Sequence, residues 1–434
     1  MPQTNFPDFS FVTKVALFSH SYLKCSVYLQ NVAATRYTYT KRFYMELSSS
    51  AYLLEDLLDF HGAKNNRRWY LYRELSAAMR HLAMAAYVQK HIVNRFPHYG
   101  LTAPEDFEDQ GIRTHEYLVR ALKSLAPAVV AEAKRLRIPL PGDHYIESDF
   151  PRISTNEMLK ADIDEDAAQE NRESIVRICN EFLSVSQAFE GFDADSALDA
   201  DAISGMVPLR INEVEVRRYE MVIHNLQSSF DSYVIHGRSI ANQKLKMLRG
   251  HISVVLHLLE LAGFLLHFYE RHLHETGQKN VYKKVRNRMA KLLNPAEILD
   301  RTVNYAFRFA CRFLMDGQAL AKELLTENVE RSTLDVPVPR DMGFHLRPSL
   351  LVAKIVNHYG GQVKMKVNEL SFDAGSVLDL QWAGGLIAKE KIARVTFEGD
   401  ERAIKDIKTL ASVNYAEDRM GKGLDLPKEL AYLR

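Results

Sequence analysis

The sequence predicts a multi-domain protein in which a large all-α helical bundle region is followed by a smaller α+β domain. Before about residue 330, apolar residues recur at helical spacing and no alternating strand pattern is convincing. In the last quarter, short runs alternate apolar and polar residues, as at Val363, Met365 and Val367, with helical stripes between them. We therefore expect a sheet with one face covered by helices at the C-terminal end.

The N-terminal region contains several strong helix patterns. Apolar residues recur at helical spacing within 53–58 and 70–93, and a further pattern covers 115–136 with Pro127 inside it. The most apolar run, Ile252 to Phe268, includes charged or titratable residues and falls short of the roughly 20 clean residues that span a bilayer. We expect it to be the central buried helix, with Leu259 and Leu266 in the core.

The length of 434 residues suggests two or three domains. We divide the chain into a helical region (1–200), a long-helix bundle region (201–330) that can form one domain with the first, an α+β domain (333–415) and a C-terminal tail (416–434). An acidic stretch near residue 200 marks the first boundary.

Composition excludes several functional classes. A formal net charge of +1 provides no field that would attract nucleic acid or an anionic membrane. Three widely spaced cysteines indicate reduced thiols, and the N-terminus has no secretion signal. We expect a cytoplasmic protein that binds no nucleic acid and has no membrane span.

The most informative motif is Gly343-Phe-His345-Leu-Arg347-Pro348. Proline suits the first turn of a helix, so His345 is predicted to lie at a helix N-terminus, where free N–H groups and a partial positive charge favour an anion. Arg347 can add a guanidinium fork to that anion. The pattern predicts a phosphohistidine site, with a ring nitrogen of His345 open to solvent.

Residues from about 333 to 415 resemble HPr, the histidine-containing phosphocarrier of the bacterial sugar phosphotransferase system. After the histidine, the predicted helices and strands follow one another in the order typical of the family. The last two are a strand from Arg394 to Asp400 and a helix with a stripe of apolar residues. Ser376 lies 31 residues after His345, the offset of the family's regulatory serine. The resemblance implies an open-faced sandwich with a four-stranded antiparallel sheet and three helices.

The resemblance also implies the function. His345 would accept a phosphoryl group from an enzyme I-like donor charged by phosphoenolpyruvate, and Arg347 would contact the phosphate. The acceptor would be a sugar-transport protein or a regulatory target, with the helical region as the output, docking or dimerisation part, so a homo-oligomer is possible. Such a carrier holds a phosphohistidine intermediate without being a turnover enzyme, and we expect no cofactor.

The face around Ser376 has two interpretations. Ser376 can be a regulatory phosphorylation site, or it can cap a short helix, which is sufficient reason for a serine there. The family docks partners on this face, which here includes the apolar residues Leu378, Leu380 and Trp382. Leu346, Gly375 and Asp379 depart from the family pattern, and the Asp379 carboxylate leaves the docking partner open.

Histidines in the apolar run raise the question of a metal. His267, Glu270 and His274 share one helical face through i, i+3 and i+7 spacing, but one helix cannot complete a metal site. We expect core or interface histidines and no metal.

Two other functions remain open from the sequence. One is a helical interaction or scaffold protein whose HPr-like module is a docking surface that is never phosphorylated. The other is a helical metalloenzyme that the module regulates. Phosphorylation by enzyme I separates the first from the carrier, and metal analysis of the N-terminal half tests the second.

Overall fold

The computed structural model describes residues 9–33, 39–146, 172–189, 191–192, 196–233, 242–274, 279–339, 343–360, 363–418 and 423–433. Contacts divide the chain into two compact units, which are described separately below. The helical unit comprises Met1–Gln169 with Ser184–Ala319, and the C-terminal unit comprises Glu170–Leu183 with Leu320–Arg434.

The helical unit combines residues from both sides of the boundary expected near residue 200. The two stretches therefore form one unit, which is the alternative that the sequence leaves open, and the acidic stretch contains a short helix; residues 193–195 of it lie outside the described residues. The helices before Arg331 are α1 (Phe11–Asn31), α2 (Lys41–Phe60), α3 (Tyr70–Arg95), α4 (Phe107–Leu136), α5 (Arg172–Ala188), α6 (Ala200–Met206), α7 (Glu213–Tyr233), α8 (Gln243–Phe268), α9 (Asn280–Leu292), α10 (Pro295–Asp300) and α11 (Arg308–Asn328). Most of α5 and the end of α11 belong to the C-terminal unit. Among the described residues before Arg331, regular structure is helical throughout.

Helix α8 is the centre of the helical unit. It packs between α3 and α7, and Leu259 and Leu266 are completely buried, as the sequence predicts. The segment Gln243–His274 is long and apolar enough to cross a membrane, but 72% of its most apolar window is buried inside the protein. This burial favours the core-helix interpretation.

Two helices in the unit continue as π-helical turns. The segment Tyr269–His274 extends α8, and Arg301–Phe307 extends α10 into α11. A π-helix bonds i to i+5 instead of i to i+4, and such turns occur mostly as single turns inside α-helices, frequently at functional sites. The side chains after Phe268 therefore depart from the spacing that a continuous α-helix would impose.

The C-terminal unit contains the expected four-stranded antiparallel sheet, in the spatial order β1-β4-β2-β3. Its strands are β1 (Arg331–Pro337), β2 (Val363–Val367), β3 (Leu370–Asp373) and β4 (Arg394–Asp400). Helices α12 (Leu346–His358), α13 (Val377–Glu390) and α14 (Glu401–Ser412) alternate with them along the chain. Strand β2 buries every second residue, so one face of the sheet lies under these helices.

The C-terminal unit has wider boundaries than the sequence predicts. Tyr415, Leu430 and Leu433 are buried in its hydrophobic core, so residues from 416 onward belong to the unit instead of forming a separate tail. Residues 170–183, which were expected in the helical region, also belong here; the Asn180 side chain lies against the backbone of Gly360. The C-terminal residues cover apolar surface of the sheet and its three helices, and the 170–183 segment covers backbone at Gly360.

Candidate functional site

His345 is the N-cap of α12, as the motif predicts. Its carbonyl oxygen accepts the N–H of Ser349 at 3.2 Å, which closes the first helical turn. Pro348 is the third residue of the helix and has no N–H to donate. The first turn therefore offers the N–H groups of Leu346 and Arg347 to an anion, in the region where the helix dipole is positive.

The His345 ring is held by a buried carboxylate. Its Nε2 atom lies 3.0 Å from the carboxylate of Glu417, whose side chain is only 1% exposed. A carboxylate accepts hydrogen bonds, so Nε2 carries the proton in this contact and, in the neutral ring, the lone pair is on Nδ1. Among the described residues, His345 is the only partner of the Glu417 carboxylate in a hydrogen bond or ion pair.

A strained turn brings Glu417 to the histidine. Three consecutive non-glycine residues after α14, Asn414, Tyr415 and Ala416, have φ of 50°, 56° and 58°. Each left-handed residue of this kind costs roughly 1–2 kcal/mol. Burial raises the pKa of the Tyr415 phenol, whose hydroxyl donates to the Pro337 carbonyl at 3.0 Å and anchors the turn to β1.

The same segment also meets Arg347. Glu417 and Gly423 form a bridge, and the N–H of Leu424 donates to the Ala416 carbonyl at 2.8 Å. The Arg347 guanidinium lies directly over Gly423, where any Cβ would overlap it. We call residues 416–418 with 423–424 the C-terminal strap; it contacts both the histidine and the arginine of the motif.

The strap bears on the exposure of His345. The sequence predicts an exposed histidine with one ring nitrogen open to solvent; the side chain is 27% exposed, and Glu417 covers Nε2. Glu417 was missed because the domain was expected to end at residue 415. A carboxylate far along the chain from a histidine gives no local pattern, so only the turn at 414–416 could have pointed to it.

Ser376 caps α13. Its hydroxyl accepts the N–H of Asp379 at 3.2 Å, and the Asp379 carboxylate lies 3.3 Å from the same hydroxyl. This arrangement satisfies one of the free N–H groups at the helix start. The capping interpretation therefore has a direct structural basis, and regulatory phosphorylation of Ser376 stays a prediction.

Two of the three predicted docking residues are on the surface. Leu378 and Trp382 are 75% and 79% exposed, whereas Leu380 is completely buried. Leu380 is therefore a core residue, because it faces the sheet side of α13 while its neighbours two positions away face outward. A Cβ at Gly384 would lie 2.6 Å from the Phe344 carbonyl, so α13 also passes close to the segment that precedes His345.

The histidine face expected on α8 is not formed as predicted. His257 pairs with Glu260 at 2.7 Å, and the Glu270 carboxylate accepts the N–H of Glu213 at 2.8 Å. His274 is exposed and packs against the Tyr269 ring. The i, i+3, i+7 spacing fails because the helix becomes π-helical at Tyr269.

Comparisons with protein-family models, with curated proteins and with solved structures give no match for this chain. The candidate site is therefore judged on its own geometry.

Proposed function

We propose that this protein is a phosphocarrier or a phosphorylation-dependent regulator, with an HPr-like C-terminal unit that accepts a phosphoryl group on His345 from an enzyme I-like donor. The observation that carries the proposal is the position of His345 at the start of α12 with Nε2 paired to a buried carboxylate. This combination leaves Nδ1 as the nucleophile, next to the first-turn N–H groups.

The order of elements supports the HPr-like assignment. The C-terminal unit runs β1, α12, β2, β3, α13, β4, α14, which is the strand and helix plan that the resemblance implies. The sheet is antiparallel throughout, and the histidine precedes the first helix of the plan.

The transfer step needs little from the carrier beyond position and charge. The Nδ1 lone pair attacks the phosphorus of the charged donor in line with the bond that breaks, and the donor atom leaves with the electron pair of that bond. Nε2 keeps its proton, and the Glu417 carboxylate stabilises the positive charge that develops on the ring. We assign the phosphoryl oxygens to the N–H groups of Leu346 and Arg347 and to the Arg347 guanidinium, because helix-start N–H groups and guanidinium both bind phosphate.

The strained turn is a further support. Left-handed non-glycine residues persist where the surrounding structure holds them, and they cluster at functional sites. Here three such residues in succession place the Glu417 carboxylate against His345, and they also bury Tyr415 in the core. The contact between Glu417 and the histidine is the part of this arrangement that supports the proposal.

The partner face proposed for this function is smaller than the sequence suggests. Leu378 and Trp382 present exposed apolar surface on α13, and Leu346 is exposed at the start of α12. A donor or acceptor that reaches Nδ1 would cover these residues. We propose a sugar-transport protein or a regulatory target as the acceptor, with the helical unit as the output, docking or dimerisation part.

The test is incubation of the full chain with enzyme I and phosphoenolpyruvate, followed by measurement of acid-labile phosphate. The wild type and His358→Ala should be labelled, and His345→Ala should not. His358 is the matched control because it is an exposed histidine at the other end of the same helix. Absence of label on the folded wild type would favour the alternative, a helical interaction or scaffold protein whose docking module is not phosphorylated.

A further inference from the structure

Three histidines meet inside the helical unit, and none of them belongs to the motif around His345. His81 comes from α3, His267 from the last turn of α8, and His272 from the π-helical turn that follows it. One ring nitrogen from each lies within 4.8 Å of the other two. We call these three residues the histidine triad.

The π-helical turn explains how one helix supplies two members. In a regular α-helix, residues five apart point about 140° away from each other around the axis. In a π-helix the i to i+5 pairing places such residues above one another. The change of helix type at Tyr269 thus turns His272 onto the side of His267, facing α3.

Carboxylates orient both of these rings. His267 Nδ1 lies 2.7 Å from Glu213, and His272 Nδ1 lies 2.8 Å from Glu74. Each carboxylate accepts the Nδ1 proton, so the lone pair of each neutral ring is on Nε2. A carboxylate that fixes the tautomer of a histidine in this way is the usual outer support of a metal-binding imidazole.

His81 has no such partner. Its side chain is almost fully buried, at 3% exposure, and neither ring nitrogen has a hydrogen-bond partner among the described residues. Leaving a buried polar group without a hydrogen-bond partner is unfavourable. Desolvation, the other two imidazoles and nearby Arg80 and Arg217 lower the pKa of His81 well below its usual range, so the ring is a neutral donor with an unused lone pair.

We propose that the histidine triad binds one divalent transition-metal ion, Zn²⁺ in the first instance, through its three imidazoles. Imidazole nitrogen suits Zn²⁺ and its neighbours in the first row, and three protein ligands leave a fourth position for water or a small anion. Entry is possible from the side of His267, whose side chain is 29% exposed.

Charge around the triad is compatible with a dication. The carboxylates of Glu74 and Glu213 each carry a negative charge next to a ligand ring. Arg73 pairs with Glu74 at 3.0 Å and Arg217 approaches Glu213 at 3.8 Å, so the arginines offset part of that charge. Arg73 also bonds Asp59 and Glu55, Arg80 pairs with Glu55, and Arg271 approaches Glu213 at 3.6 Å, so carboxylates and guanidiniums nearly balance around the site.

Binding requires a small movement of one ring. The ring nitrogens of the triad lie within 4.8 Å of one another, whereas tetrahedral Zn²⁺ with Zn–N of about 2.0–2.1 Å holds its nitrogens about 3.3 Å apart. His81 has no hydrogen bond to break, so it is the ring that can tilt. His267 and His272 keep their carboxylate contacts.

The first test is zinc titration of the full chain after treatment with a chelator. One Zn²⁺ per chain should bind, and His81→Ala and His272→Ala should each abolish this stoichiometric binding. Glu74→Gln should weaken it by about 10- to 100-fold, as loss of an outer carboxylate does at other histidine sites. The matched control is His91→Ala, which removes another histidine of α3 that packs on His257 instead of the triad.

A second measurement keeps the proposal testable if a triad variant fails to fold. X-ray absorption of the zinc-loaded wild type should show three imidazoles and one further ligand from water or a small anion. No stoichiometric binding by the wild type, undiminished binding by a folded His81→Ala protein, or a coordination shell without three imidazoles would each overturn the proposal. Zinc binding should also persist in His345→Ala, because the triad shares no residue with the carrier site.

Discussion

At the scale of single residues, the candidate site depends on which ring nitrogen of His345 forms the hydrogen bond to Glu417. Nε2 lies against the Glu417 carboxylate, and His345 is the N-cap of α12, whose first turn has N–H groups that can bind an anion. The motif predicts the helix start and the role of Pro348, because both follow from local backbone preferences. It cannot predict Glu417, which approaches only after the left-handed turn at 414–416.

The role of Glu417 can be measured with Glu417→Gln. The amide keeps the shape but not the charge, so we expect phosphorylation of His345 to slow by about 10-fold or more, the equivalent of the roughly 1.5–3 kcal/mol that hydrogen bonds to charged groups contribute. Rates of phosphate uptake from charged enzyme I would be compared with those of His358→Ala. A rate equal to the wild type would show that the carboxylate has no part in transfer.

Gly423 tests the position of Arg347. A methyl group in Gly423→Ala would overlap the Arg347 guanidinium. Because Arg347 is an exposed and flexible side chain, its guanidinium can move away at little cost in stability, but it then leaves its position over the strap. We expect slower phosphate uptake with the fold retained. Gly142→Ala is the control, because a Cβ there meets nothing within 4 Å. Identical uptake by the two variants would exclude a role for this contact.

At the scale of elements, periodicity predicts the strands and the buried helix well. Met365 and Phe397 are neighbours across β2 and β4, and both are fully buried, as the alternation of each strand requires. The π-helical turn after Phe268 could not be predicted, because nothing in the spacing of His267, Glu270 and His274 distinguishes it from an α-helix. The π-helical turn determines that His272, and not His274, lies close to His267 and His81.

The central position of α8 predicts a large cost for Leu259→Ala. The side chain is completely buried, so loss of burial and the cavity left behind should reduce the free energy of unfolding by about 2–5 kcal/mol. Leu53→Ala on α2 is the control, since Leu53 is exposed and a change there should stay within about 0.5 kcal/mol. Urea denaturation of both variants measures the difference, and equal midpoints would contradict the assignment of α8 to the core.

At the scale of the whole molecule, composition predicts a folded chain with more than one compact unit, but the boundaries depend on contacts that are distant in sequence. Leu430 and Leu433 complete the core of the C-terminal unit although they lie beyond its last helix. Nothing in a short apolar segment shows which surface it will cover. The length of that unit was therefore underestimated.

Buried histidines make the helical unit sensitive to acid. Burial lowers the pKa of His81 and His267, and that of His91 falls to about 4, while an unfolded histidine titrates near about 6.5. Below about pH 6.5 the unfolded chain therefore binds protons that the folded chain does not bind. The free energy of unfolding decreases as the pH is lowered toward the pKa values of the folded state.

Urea denaturation in the presence of a chelator, at about pH 7.5 and about pH 5, measures this dependence. The midpoint should be lower at the acidic pH, and His91→Gln should reduce the difference. A midpoint that is unchanged or higher at about pH 5 would contradict the neutral, buried state of these rings.

The most direct test of the account is an NMR measurement on the full chain after phosphorylation by enzyme I and phosphoenolpyruvate, with ¹⁵N in the histidine rings. The structure leads us to expect a single phosphohistidine at His345 with phosphorus bonded to Nδ1 and a proton kept on Nε2 by Glu417. Phosphorus on Nε2, phosphate on another residue, or a folded protein that takes up none would contradict it.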